Sequence, residues 1–172
     1  MNIKRIPSFI ILALVYAVAT VAGIFTYLSL ELDTWLSLLI ADTVATVVTF
    51  IFSLIFKNAS VYDPYWSVQP IIIVLCFAWG RALSLASVIV ICVIAIWAIR
   101  LTANWAYTFH GMAHQDWRYT MLHEKTGVFY PFINFVGIHM VPTLVVWGCI
   151  LPAVYAVREG LAANPASIAF VL

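Results

Sequence analysis

Apolar residues run along this chain in long blocks, and the polar residues gather at the breaks between them. Residues 6–30 form a first block that ends at Glu31-Leu32-Asp33, and residues 35–56 form a second that stops at Lys57-Asn58. A third helix is expected from Asp63-Pro64 to Trp79, with Gly80-Arg81 as a tight turn. A fourth span covers residues 82–99 and a fifth covers 132–157, closed by Arg158-Glu159-Gly160. These lengths match the ~20 residues that a helix needs to cross the hydrocarbon core. The run from Ser167 to Leu172, after Pro165, predicts a C-terminal stub. The pattern therefore predicts an all-α polytopic membrane helix bundle of about five transmembrane helices plus that stub, organised as one transmembrane domain over residues 1–172. The first block exceeds the ~7–15 residues of a signal-peptide core, so it reads as a retained span.

Several features inside the blocks refine this picture. In Val61-Tyr62-Asp63-Pro64-Tyr65-Trp66, the Asp63 carboxylate is expected to cap the third helix while Pro64 takes its first turn. Tyr62, Tyr65 and Trp66 have the character of an aromatic belt at headgroup level. Pro142 and Pro152 predict a kinked fifth span, because neighbouring helices can satisfy the carbonyls that proline frees. Asp42 lies within the second span, where a carboxylate must reach water or bond to a neighbouring helix; intramembrane function is the other reading.

Composition agrees with the bilayer: 65% of the residues are hydrophobic and 9% charged, against about half and about a quarter in soluble domains. The net charge of +1, with no basic block, gives no footprint for nucleic acid. Cys76, Cys92 and Cys149 lie far apart in apolar runs, so they form neither a disulfide framework nor a zinc motif and are expected as small buried filler. With the N-terminus inside, Lys4, Arg5, Lys57, Arg100, Arg118 and Lys125 face the cytoplasm, leaving Arg81 and Arg158 outside. The positive-inside rule favours that orientation and places the interval from Arg100 to Tyr130 on the cytoplasmic side.

That interval is the one long polar stretch of the chain. If the fourth helix continues past the bilayer, Arg100 and Asn104 share a face at i, i+4, with Tyr107 one turn on. A guanidinium and an amide on one helix end suit a phosphate or carboxylate ligand, and equally a lipid headgroup. His110 and His114 have the i, i+4 spacing of a metal pair. Gly111 weakens that helix and histidines are few, so interfacial or hydrogen-bonded imidazoles are expected and no metal is assigned. Asp116 and Arg118 alternate with aromatics, and their nearest partners are each other, Arg100 and Glu124. Spacing alone yields no reaction and no catalytic residue.

Three motifs, in order and spacing, carry a resemblance. Asp63-Pro64-Tyr65-Trp66-Ser67, Arg100-Leu101-Thr102-Ala103-Asn104-Trp105, and Gln115-Asp116-Trp117-Arg118-Tyr119 followed by Phe129-Tyr130-Pro131-Phe132 resemble the N-terminal half of a membrane family grouped with the steroid 5-alpha-reductases and isoprenylcysteine methyltransferases. The resemblance implies a helix bundle whose cytoplasmic side holds a nicotinamide cofactor, NADPH, or in the methyltransferase relatives a methyl donor. It implies cofactor binding by Arg100, Asn104, Asp116 and Arg118, with Trp66 and Tyr107 covering a lipophilic substrate. Family members of this kind continue with an arginine-histidine-proline-asparagine-tyrosine type segment, which this sequence does not contain. Two readings follow: a reductase-like enzyme completed by a C-terminal half, supplied by a separate chain, or a non-catalytic membrane scaffold or truncated remnant. Lipid is the partner in both.

Overall fold

The computed structural model describes residues 5–160. Lys4 and the expected stub after Pro165 lie outside the described residues. Among the described residues, five stretches are long and apolar enough to cross a membrane: Arg5–Ser29, Thr34–Phe56, Ala59–Ala78, Leu85–Thr108 and Trp117–Gly160. The described residues form an all-α helical bundle, as the block pattern predicts.

Helix α1 (Arg5–Ser29) and helix α2 (Thr34–Phe56) form an antiparallel pair packed through small residues. Ala19 and Ala45 are fully buried, and a Cβ added at Gly23 would stand 3.3 Å from the Ala41 carbonyl oxygen. Close backbone approach of this kind is how helices associate where water supplies no driving force. Lys57 ends α2 in the left-handed conformation, φ 52°.

A 3₁₀ turn (Ala59–Val61) leads to α3 (Tyr65–Ala78). Here the expected cap is overturned: the N-cap residue is Pro64, and no side chain caps the helix. The Asp63 carboxylate instead accepts a 2.6 Å hydrogen bond from Tyr119. The aromatic belt is corrected too, since Tyr62 and Tyr65 are buried at 1% and 2% exposure. Both hydroxyls have interior partners, which is what makes their burial tolerable.

The chain turns at Gly80, φ 71°, and α4 (Leu85–Thr108) follows, capped by the Ser84 side chain. This helix runs nine residues past the expected end at Ile99, carrying Arg100 and Asn104 with it. Next come α5 (Trp117–Thr126), a 3₁₀ turn (Gly127–Phe129), α6 (Tyr130–Ile133), a π-helical segment (Asn134–Met140), α7 (Val141–Tyr155) and a π turn (Ala156–Gly160). The fifth span is therefore an irregular helix, and its widened turn immediately precedes Pro142. Proline lacks the N–H that would bond the carbonyl four residues back and its ring crowds that carbonyl, which accounts for the local departure from α geometry.

Leu38, Ile73, Val74, Ile150 and Val154 form a core shared by α2, α3 and α7. Ile6, Phe25, Ile96 and Ile99 are among the apolar side chains facing outward. The cysteines belong with the outward set: Cys76, Cys92 and Cys149 are exposed rather than buried filler, because an apolar run in a bilayer supplies lipid-facing as well as core positions.

Candidate functional site

Successive spans alternate in direction, so the start of α1, the end of α2, the start of α3, the end of α4 and α5 meet at one end of the bundle. A set of hydrogen bonds closes that end. Asn58, 3% exposed, donates through Nδ2 to the carbonyls of Met112 (2.9 Å) and His114 (3.0 Å), while its Oδ1 accepts from the Ser60 N–H (2.9 Å). The Ala59 N–H donates to Gln115 Oε1 at 2.9 Å, the Asp116 N–H to Ser60 Oγ at 3.0 Å, and the Met112 N–H to Ser8 Oγ at 2.9 Å. Arg5 reaches the Ala106 carbonyl at 2.7 Å. The loop between α4 and α5 is thus fastened to the α2–α3 connection and to α1. Sequence reading missed Asn58, since a lone polar residue after an apolar block looks only like the end of a span.

The predicted site residues fall into two groups. Arg100, Asn104 and Tyr107 lie on the extended part of α4 and are exposed, Tyr107 at 83%. The Arg100 and Asn104 side chains make no hydrogen bond or ion pair with the described residues. Asp116 and Arg118 start α5 and bind each other: Asp116 Oδ1 accepts from Arg118 Nε at 2.9 Å, and Oδ2 from Nη2 at 2.8 Å. Asp116 also caps α5 by accepting the Arg118 N–H at 2.8 Å. The Arg118 side chain, hydrogen-bonded to it, holds the Asp116 carboxyl below the usual carboxylate range. No hydrogen bond or ion pair joins the two groups among the described residues.

His110 and His114 do not lie on a helix; they flank a turn, with ring centroids 5.8 Å apart. Among the described residues no three histidine, cysteine or carboxylate side chains stand together as a metal site would require.

Two of the cavities among the described residues of the bundle bear on the site. The larger, about 930 Å³, is bounded by α3, α4 and the last span and lined mainly by apolar side chains, among them Trp66, Trp97, Pro142 and Val146. Trp66 and Trp97 meet edge to face there, with centroids 6.1 Å apart. The second, about 640 Å³, lies between α1, α2 and α3 and includes Asp42 and Gln69 in its wall. Asp42 is 4% exposed and accepts a hydrogen bond from the Tyr65 hydroxyl at 2.9 Å, so its carboxylate is bonded to a neighbouring helix, one of the two expectations for it.

A family model described as Protein of unknown function (DUF1295) matches residues 49–170, more than half of the chain. No curated protein and no solved structure matches it.

Proposed function

The chain belongs to the DUF1295 family, and on that premise we propose that it is an integral membrane protein of the steroid 5-alpha-reductase-like kind, which holds NADPH at its polar end and a lipophilic substrate in the cavity beneath. The observation that carries this reading is the order of residues along one face of α4. Trp97 lines the 930 Å³ cavity, and Arg100 and Asn104 follow it at i+3 and i+7. An apolar chamber of drug-ligand size is thus followed along α4, within one to two turns of its Trp97 wall, by a guanidinium and an amide whose donors are unengaged. Arg100 and Asn104 are the natural holders of a cofactor phosphate, because a guanidinium offers a planar fork of donors to an anion.

Arg118 is a second cation for the same anion, and Asp116 sets its direction through their paired contacts. Trp66 forms part of the substrate wall, whereas Tyr107, the other residue expected at the substrate, is exposed and does not line this cavity. NADPH would supply the hydride; a C-terminal half, borne on a separate chain, would supply the remaining cofactor contacts. The scaffold reading draws its support from α5, where Asp116 and Arg118 are accounted for by capping and by each other.

Nucleotide binding to the protein in nanodiscs, alone and with a co-expressed C-terminal half, tests the proposal. Arg100→Lys should weaken NADPH binding about tenfold with unchanged melting, since an ammonium does not replace a bidentate guanidinium. Arg118→Lys should weaken it less, because its donors are shared with Asp116. If the wild type binds neither a nicotinamide nucleotide nor a methyl donor even with that half present, the enzyme reading gives way to the scaffold.

A further inference from the structure

The 640 Å³ cavity is separate from the one assigned above and has a different chemistry. Its deep end holds two buried polar side chains with unused hydrogen-bonding capacity. Gln69 is 8% exposed and its amide makes no hydrogen bond with the described residues. Asp42 accepts from Tyr65 at Oδ1, and its Oδ2 accepts from none of them. Leaving an amide and a carboxylate oxygen unpaired in an apolar interior is costly, so whatever fills this space should bring hydrogen bonds to them.

The other end of the same cavity is cationic. Arg81 and Arg158 line it there, and Arg81 Nη1 donates to the Arg158 carbonyl at 3.1 Å, which brings the two residues together. Neither guanidinium is in an ion pair among the described residues. Between the two ends the wall is mainly hydrocarbon, with Ile24, Leu38, Ile72 and Phe77 in it. Depth can be read along the helices at about 1.5 Å per residue. Asp42 stands about 12 Å into α2 from Thr34, and Gln69 about 13 Å into α3 from Ala78, so both lie at one level below the arginines.

We propose that this cavity binds a single-chain amphiphile polar at both ends, with a hydroxyl at Asp42 and Gln69 and an anionic group at Arg81 and Arg158. An ordinary acyl tail would satisfy the walls and leave the deep pair unpaired. A neutral alcohol would satisfy the deep pair and leave the guanidiniums to water. The deep pair, at matching depth on α2 and α3, and the arginines above it select a molecule that carries both groups about one cavity length apart.

The test uses the full chain in phosphatidylcholine nanodiscs and four probes of equal carbon number: ω-hydroxydodecanoate, dodecanoate, dodecanol and dodecane. The doubly polar chain should bind about tenfold more tightly than either singly polar one, a difference appropriate to one buried hydrogen bond or ion contact. Gln69→Leu should reduce its affinity to that of dodecanoate, and Arg81→Gln to that of dodecanol. Neither residue's side chain holds a helix-to-helix side-chain bond in the bilayer interior, and unchanged melting of both variants verifies that the fold persists. Binding of dodecanoate or dodecanol as tight as that of ω-hydroxydodecanoate, or full affinity in Gln69→Leu, overturns the proposal. The outcome is independent of NADPH binding at Arg100, which concerns the other cavity.

Discussion

Asp63 and Tyr119 are joined by a 2.6 Å hydrogen bond although 56 residues separate them, and this partnership replaces the local one that the Asp63-Pro64 dipeptide suggests. A capping signal is read from residues within one turn, whereas a partner on another element becomes visible only once the chain has folded. Tyr119→Phe should therefore cost about 1–3 kcal/mol in a melting experiment, because it leaves a half-buried carboxylate short of its donor. Asp63→Ala combined with Tyr119→Phe should cost less than the two changes summed; additive losses would show that the pair does not interact. Asp116 was legible in kind, since its nearest expected partner was Arg118. Its pairing has a pH signature. The folded carboxyl ionises below its unfolded value of about 3.9, so the pair contributes fully above that pH and is lost as pH falls through the lowered folded value. The side chains are 62% and 25% exposed, so the ion pair contributes only about 0–1 kcal/mol. Wild type and Asp116→Asn should differ by a constant margin from about pH 5 to pH 8, and converge in stronger acid. A margin that widened on acidification would be incompatible with a depressed carboxyl.

Helix α2 shows why hydropathy reveals an element without revealing its inward face. Read as a block it is apolar, yet the side it buries carries Thr34, Ser37, Asp42, Thr46, Thr49 and Ser53 among small residues, at helical spacing. In a bilayer the outward face must be apolar, so the packed face is distinguished by smallness and hydroxyls. Asp42 alone attracted notice in the sequence because it alone is charged. The hydroxyls do structural duty further along: Thr143 of α7 lies 2.8 Å from Thr46 Oγ1 and 2.7 Å from the Tyr62 hydroxyl, tying the last span to α2 and to the turn before α3. All three residues are buried, at 2%, 0% and 1% exposure. Thr143→Val keeps the shape and removes both bonds, so it should lower stability by about 1–3 kcal/mol, while Thr143→Ser should cost much less. Equal losses for valine and serine would assign the effect to the methyl group and not to the hydroxyl. The irregularity of the last span was half legible: Pro142 and Pro152 announce a disturbed helix, but whether it takes the form of a kink or a widened turn depends on packing. His139 illustrates this, for it sits in the π segment fully buried, its Nδ1 3.1 Å from the Asn134 carbonyl and its ring 4.5 Å from that of Tyr62.

At the scale of the molecule, the division of the basic residues between the two ends of the bundle needs only the number of spans and the positions of Lys and Arg, which is why it could be read from the chain. Alternating spans put Arg5, Lys57, Arg100, Arg118 and Lys125 toward one end of the bundle, and Arg81 and Arg158 toward the other. How the first end is closed was not legible, because Asn58 and Ser60 act there through backbone groups of a loop distant in sequence. The charge asymmetry predicts that the first end faces the cytoplasm. Single-cysteine variants on a background lacking Cys76, Cys92 and Cys149 can check this in intact cells with a membrane-impermeant maleimide. Leu83→Cys, in the turn at the other end, should label directly, whereas Thr120→Cys on α5 should label only after permeabilisation. The reverse pattern would reach beyond topology. Arg100 and Asn104 share the end that carries Thr120, so an outward-facing α5 would put them beyond the cytoplasmic nucleotide pool and remove the NADPH reading along with the orientation.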